Sequence, residues 1–127
     1  MTNFKHLESE LAEVFILDDF LIAQIKEGQH VDKLFFKELK KLIKTYFDKK
    51  PFVYISNRVH SYSVDALLYK EIFKVSEIIG IGIIATNSLV NKNAQFEKQF
   101  FKKPFKTFTS LSEACIWVNE LITKTNS

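Results

Sequence analysis

The sequence predicts a single α/β domain over residues 1–127, with a mostly parallel sheet of about five strands and about four helices. Short apolar runs alternate with longer segments whose apolar residues recur every three or four positions, as in strands connected by helices. Two β-prone runs near the start lie only two residues apart and predict an opening β-hairpin. A chain of 127 residues that is 46% hydrophobic is large enough to bury a core without disulfides or metal.

The predicted hairpin pairs residues 12–17 with residues 20–26 through a turn at Asp18 and Asp19, and Gly28 ends its second strand. A helix is then predicted over residues 32–47, because five apolar residues share one helical face. These residues are Phe35, Leu39, Leu42, Ile43 and Tyr46. A short buried strand is predicted over residues 51–56.

The same alternation continues downstream. A second helix is predicted at residues 67–75, with Ser63 or Asp65 as its N-cap, before a strand over residues 78–85 that is apolar on both faces. Gly80 and Gly82 in that strand indicate close packing against a helix. A nucleotide-binding loop is disfavoured, because its third glycine and its lysine are missing.

The last two predicted helices are marked by their N-caps. The third begins at Asn87 or Ser88, and the fourth follows a short strand over residues 105–108 with Ser110 and Glu113 as a capping-box pair. The expected apolar face of the third helix consists of Leu89, Phe96 and Phe100. In the adjacent pairs Phe35–Phe36 and Phe100–Phe101, one member of each is expected on an exposed patch, which suggests a homodimer.

The charged residues are unevenly distributed. Residues 1–32 carry a net charge of −5 and residues 33–50 carry +5, within a total of +3. The lysines of the helix over 32–47 favour a solvated face over a docking patch. Arg58 is the only arginine, which argues against sequence-specific nucleic-acid binding, because base recognition relies on the guanidinium fork.

Cysteine and histidine contribute no recognisable site. Cys115 is the only cysteine, and the three histidines lack metal-ligand spacing, so neither a disulfide nor a metal or other cofactor is expected. The first residues do not form a secretion signal, and the apolar run at 78–85 is too short to span a membrane. We therefore expect a cytoplasmic protein.

A polar cluster follows the strand predicted at 51–56, where open α/β sheets bind ligands. The candidate ligand- or partner-binding residues are Asn57, Arg58, His60, Ser61, Ser63 and Asp65. Arg58 would contact an anion or carboxylate, Asn57 and Ser61 would form hydrogen bonds, and His60 would be a pH-sensitive contact. Alternatively, Ser63 caps the next helix and Arg58 pairs with an acidic residue of the hairpin.

The element order and two segments, residues 51–65 and 105–117, resemble the SpoIIAA-like group of STAS domains, named for sulfate transporters and anti-sigma-factor antagonists. In the antagonists, a serine preceded by aspartate is phosphorylated at the start of the helix after the third strand. Ser61 and Ser63 occupy the corresponding region, and the resemblance makes them candidate phosphorylation sites. No Asp-Ser dipeptide is present in this chain.

The resemblance implies a non-catalytic, regulatory module that binds a protein partner or a small anionic ligand. One alternative is a carrier of lipids or other apolar ligands, by a looser similarity to SEC14 domains. Another is a small hydrolase or transferase using His60 with Ser61 or Ser63, although a catalytic triad needs a geometry that adjacent residues in a sequence do not establish.

Overall fold

The computed structural model describes residues 4–60 and 62–126. Its main sheet contains β1 (Lys5–Glu8), β2 (Ala12–Ile16), β3 (Phe20–Ile25), β5 (Phe52–Asn57), β7 (Ile78–Ile84) and β8 (Phe105–Phe108). A small sheet contains β4 (His30–Val31) and β6 (Ser63–Val64). The helices are α1 (Lys33–Tyr46), α2 (Leu68–Phe73), α3 (Ser88–Glu97) and α4 (Leu111–Thr125), and a 3₁₀ turn (Lys98–Phe100) extends α3.

The strands of the main sheet follow the order β1-β2-β3-β5-β7-β8. The pairs β1–β2 and β2–β3 are antiparallel, and every later pair is parallel, which confirms the mostly parallel sheet opened by a hairpin. The estimate of five strands was low. It missed the outer strand β1, whose polar side chains are largely exposed, and the two-residue strands of the small sheet.

Helices α1, α2 and α3 pack on one face of the main sheet, and α4 packs on the other. Each crossover from β3 to β5 to β7 to β8 advances one strand in the same direction, so right-handed connections bring the first three helices to the same face. Only α4, which follows the last strand, is free to cover the opposite face. The helices leaving β7 and β8 therefore diverge.

The predicted starts of α1, α3 and α4 agree with the observed caps, whereas α2 begins after Leu67, which forms no side-chain cap hydrogen bond, so the prediction of Ser63 or Asp65 as its N-cap is wrong. Asp32 accepts a hydrogen bond from the Leu34 backbone N–H at the start of α1, and Ser110 accepts one from Glu113 at the start of α4. Gly80 and Gly82 lie beneath α4, where a Cβ on Gly80 would come within 2.8 Å of a Leu121 methyl carbon. This contact confirms the close-packing interpretation of these glycines.

The predicted apolar face of α3 is wrong. Leu89 and Phe96 are exposed by 66% and 55%, whereas Ala94 and Glu97 are the buried residues of this helix. The buried side is displaced by one residue from the expected one, because a buried arginine at the end of β5 holds Glu97.

Within the described residues, no helix combines the length and apolarity needed to cross a membrane.

Candidate functional site

The predicted site residues begin at the C-terminal end of β5, in the middle of the parallel strands. Successive side chains of a strand point to opposite faces of the sheet, and the side chains at the end of β5 follow this rule. Ser56 and Arg58 point toward α2 and α3, whereas the Asn57 side chain donates a hydrogen bond to Gln24 Oε1 over 3.3 Å. The structure therefore does not bring Asn57 and Arg58 together in one site.

Arg58 forms a buried ion pair with Glu97, the last residue of α3. The two residues are exposed by only 7% and 5%. Arg58 Nη1 donates to Glu97 Oε2 over 2.8 Å, and Nη2 donates to Oε1, which gives the bidentate geometry typical of arginine–carboxylate pairs. The acidic partner thus lies on a helix 39 residues away, and the suggested pairing with the hairpin is wrong.

Polar side chains complete the environment of this ion pair. Tyr69 of α2 donates its hydroxyl hydrogen to Glu97 Oε1 over 2.6 Å and accepts a hydrogen bond from Arg58 Nη2 over 3.2 Å. Arg58 Nε donates to Ser56 Oγ over 3.4 Å, and Ser56 Oγ lies 3.0 Å from the Tyr62 hydroxyl oxygen. Nε, Nη1 and Nη2 of the guanidinium therefore all have partners inside the protein.

Arg58 and Tyr69 keep their protonation states near neutral pH. Burial raises the pKa of Tyr69 well above its ordinary value, so the phenol remains protonated. Burial alone would lower the pKa of Arg58, but the hydrogen bonds to Glu97 outweigh it and the pKa rises above the usual guanidinium value. Arg58 stays charged and directs its charge at Glu97, not at an external anion.

The remaining predicted residues lie outside this buried cluster. His60 Nδ1 is 3.8 Å from Glu27 Oε2, and Ser63 Oγ is 2.6 Å from Nδ1 of a different histidine, His30. The predicted pairing of His60 with Ser63 is therefore not observed. Ser61 is outside the described residues, so its role as a ligand contact, nucleophile or phosphorylation site stays a prediction.

Asp65, not Ser63, provides the polar contact at the start of the second helix. Asp65 Oδ1 accepts a hydrogen bond from the Leu67 backbone N–H over 3.1 Å, in the turn that precedes α2. Ser63 belongs to strand β6 of the small sheet, and its backbone N–H donates a hydrogen bond to the Gln29 carbonyl over 3.0 Å. The small sheet therefore holds the predicted site segment against the residues after β3.

The outer surface of the site is a shallow pocket of about 210 Å³ between the segment after β5 and the start of α3. Its walls include His60, Tyr62 and Asn93, and its two most exposed apolar side chains are Val59 and Leu89. Val59 is exposed by 60%, a large fraction for a side chain of this type. The groups exposed in this region are therefore apolar side chains and side chains that form hydrogen bonds.

A second pocket of about 360 Å³ lies between the start of α3 and the start of α4. It forms because the helices after β7 and β8 go to opposite faces, which is the arrangement that opens a crevice in α/β sheets. Hydroxyl and amide groups dominate its walls, together with Glu113. Among residues 4–60 and 62–126, no three His, Cys, Asp or Glu side chains are grouped as metal ligands.

The sequence analysis missed Glu97 and Tyr69, the main partners of Arg58. One signal for Glu97 was available: Val90, Ala94, Glu97 and Phe101 share a helical face, on which a lone carboxylate stands among small and apolar residues. That face appeared less apolar than the face carrying Leu89, and the choice followed apolarity. No local signal pointed to Tyr69.

Comparisons with known proteins bear on the fold alone. Neither the protein-family models nor the curated proteins give a match to this chain. Among solved structures, it is similar to an uncharacterised protein of the DUF3478 family from Shewanella loihica PV-4, described as having a SpoIIAA-like fold. The identity is 14% and the TM-score 0.56, over 92% of this chain and 93% of the other. The chain therefore has a SpoIIAA-like α/β fold.

Proposed function

We propose that the chain is a non-catalytic STAS-like module that binds a protein partner at the C-terminal edge of its sheet. The binding surface, here named the α3 surface, consists of Val59, His60, Leu89, Asn93 and Phe96. The last three recur at i, i+4 and i+7 along α3 and so lie on one side of it. The observation that carries the proposal is the exposure of Leu89 and Phe96 on a helix that buries Ala94 and Glu97.

A protein partner fits this surface better than a small anion. Arg58, the residue predicted to contact an anion, is not free to do so, because Glu97 already occupies its guanidinium. Exposed aromatic and aliphatic side chains with hydrogen-bonding neighbours are instead typical of protein interfaces, whose binding energy concentrates in a few such residues. The surface supplies Phe96 and Leu89 as anchors, with Asn93 between them on the helix.

The test is site-specific photocrosslinking in the cells that make the protein. A photoreactive amino acid at Asn93 should give one discrete crosslinked product, which the change Leu89→Ser together with Phe96→Ser should abolish. The same amino acid at Ile116, a 64% exposed position on α4, is the matched control. Failure to crosslink at position 93, or equal products at 93 and 116, would remove the proposal.

Phosphorylation of this chain would regulate its binding to the partner. Ser63 has an exposed side chain in the small sheet, three residues after His60 of the α3 surface, and its hydroxyl lies next to His30. A phosphate would add a charge of roughly −1.5 to −2 there and replace that hydrogen bond. The intact mass of protein purified from its own cells, with the modified residue mapped to Ser61 or Ser63, tests this regulation.

A carrier of apolar ligands is the second candidate, and one observation favours it. Both α2 and α3 turn apolar side chains toward solvent, with Phe73 and Leu67 on or beside α2 and Leu89 and Phe96 on α3. A carrier should copurify with an apolar molecule and should bind a fluorescent fatty-acid analogue at a stoichiometry near one. Protein that binds no such analogue, yet forms the crosslink at position 93, would decide for the partner-binding module.

A further inference from the structure

Among residues 4–60 and 62–126, no helix covers one half of the α4 face of the main sheet. Helix α4 packs over β5, β7 and β8, at one side of this face. On β2 and β3, the same face carries Phe15, Leu17, Phe20 and Ile22, and the first three of these remain partly exposed. We name this area, together with Phe4 and His6 beside it, the open face.

Aromatic side chains are concentrated on the open face. The His6 ring stacks on the Phe15 ring at a centroid distance of 4.6 Å, and Phe4, which is 59% exposed, lies 6.0 Å from the same ring. Apolar surfaces of this kind on a sheet usually mark a contact with another element. Here the part of the chain that the structure describes supplies one helix, α4, for a face that has room for two.

The size of the open face indicates what covers it. Three strands spaced about 4.8 Å apart give a width of roughly 10–14 Å, which matches the diameter of one α-helix. With a length of about 15 Å, the area is near 200 Å², well below the roughly 800 Å² that each subunit buries in a stable dimer. The dimensions therefore favour a helix lying beside α4 over a second copy of the chain.

The charge of this part of the molecule indicates which kind of helix would bind the open face. Residues 4–27 contain six carboxylates and two lysines, for a net charge of −4. Glu13 lies two residues before Phe15 on the same face of β2, with a side chain that is 36% exposed and an Oε2 that is 3.8 Å from His6 Nε2. Glu8 pairs with Lys26. The net negative charge of these strands attracts a basic partner and repels an acidic one.

We propose that the open face binds a basic amphipathic helix of a partner protein, which would lie alongside α4 and complete the second layer of the fold. This site is independent of the α3 surface, because it lies on the other side of the sheet. The chain's own basic helix, α1, cannot serve from a second copy, since its apolar side chains Phe35, Leu39 and Ile43 are buried against its own sheet. A module with both sites would bridge two partners.

The experiment uses the full chain labelled with ¹⁵N and a synthetic 18-residue helix of leucine and lysine as the probe. We expect amide shifts confined to β1, β2, β3 and the adjoining side of α4. The matched control peptide, with glutamate in place of lysine, should bind at least tenfold more weakly. Shifts that fall mainly on α1 or α3, or equal binding of the two peptides, would overturn the proposal.

Substitutions in the protein, instead of in the peptide, test the same surface. Phe15→Thr should weaken binding of the basic peptide at least tenfold, whereas Ile116→Thr, at a 64% exposed position on α4, should change it less than twofold. If Phe15→Thr fails to fold, Glu13→Lys at the exposed margin replaces it and should reduce the preference for the basic peptide. Concentration-dependent self-association that Phe15→Thr abolishes would assign the open face to a second copy and refute the partner helix.

Discussion

Helices α1 and α3 lie on the same face of the sheet but are held there by different forces. Helix α1 buries Phe35, Leu39 and Ile43, a regular apolar stripe. Helix α3 buries Ala94 and the carboxylate of Glu97, and its larger apolar side chains face solvent. The free energy that positions α1 comes from apolar burial. In α3, the attraction between Glu97 and Arg58 mainly offsets the cost of burying both charges, so the ion pair specifies how the helix is oriented more than it adds net stability.

This difference has a functional consequence. A helix held by an apolar stripe has little apolar surface left for a partner, and the exposed side of α1 is dominated by lysine. A helix held by a buried ion pair can expose leucine and phenylalanine at low cost to the fold. The ion pair also restricts α3 to one rotation about its axis, because Glu97 can reach Arg58 in only one orientation.

The largest effect should come from removing the carboxylate that anchors α3. Glu97→Ala leaves the Arg58 charge buried and unpaired, and we expect the free energy of unfolding to fall by about 3–5 kcal/mol, measured by urea denaturation. The triple change Arg58→Met, Glu97→Leu and Tyr69→Phe should recover most of that loss, because it removes both charges together with the Tyr69 hydroxyl that they bind, and it keeps the volume. A loss below about 1 kcal/mol for Glu97→Ala would mean that the ion pair does not hold the helix.

The corresponding change in α1 is Leu39→Ala, at a position exposed by only 1%. Loss of the buried side chain and the resulting cavity should lower the free energy of unfolding by about 2–5 kcal/mol in the same measurement. Here no second substitution is expected to compensate, in contrast to the ion pair. If Leu39→Ala is tolerated within the error of the measurement, the contrast between the two helices is incorrect.

The N-caps should contribute equally to the two helices, because capping depends only on local backbone geometry. Asp32 caps α1 and Asn87 caps α3, where the Asn87 side chain accepts a hydrogen bond from the Val90 backbone N–H over 2.9 Å. Replacing either residue by alanine should cost about 1 kcal/mol in thermal or urea unfolding. A large difference between the two variants would show that the caps have tertiary contacts of their own.

The smallest effect on stability is expected on the exposed side of α3. Leu89→Ser should change the free energy of unfolding by no more than about 0.5 kcal/mol, because the side chain is largely exposed. Phe96→Ser should cost about 0.5–1.5 kcal/mol, because the Phe96 ring also contacts the Phe100 ring at a centroid distance of 5.5 Å. Leu34→Ser, at an exposed position of α1, is the matched control. Leu34→Ser and Leu89→Ser should unfold alike, and only the variants on α3 should lose the crosslinked partner. An α3 variant destabilised beyond these values would indicate that these side chains belong to the fold.

The local features of this protein were predictable because each depends on neighbouring residues. The hairpin, the buried strand β7, the alternation of strands with helices, and the caps Asp32, Asn87 and Ser110 follow from short-range periodicity and from side-chain bonds to nearby backbone. The sequence also located a polar segment after β5. It did not identify which of those side chains remain accessible.

Short-range patterns in the sequence were enough to predict the alternation of the longer strands with the helices, the starts of α1, α3 and α4, and the apolar side of α1, since a helix with one clear stripe has only one way to bury it. Tertiary structure decided which side of α3 is buried and what Arg58 binds. Glu97 becomes a core residue only when α3 meets β5, 39 residues away along the chain. A buried charge resembles a surface charge in the sequence, because its partner is brought to it by the fold alone.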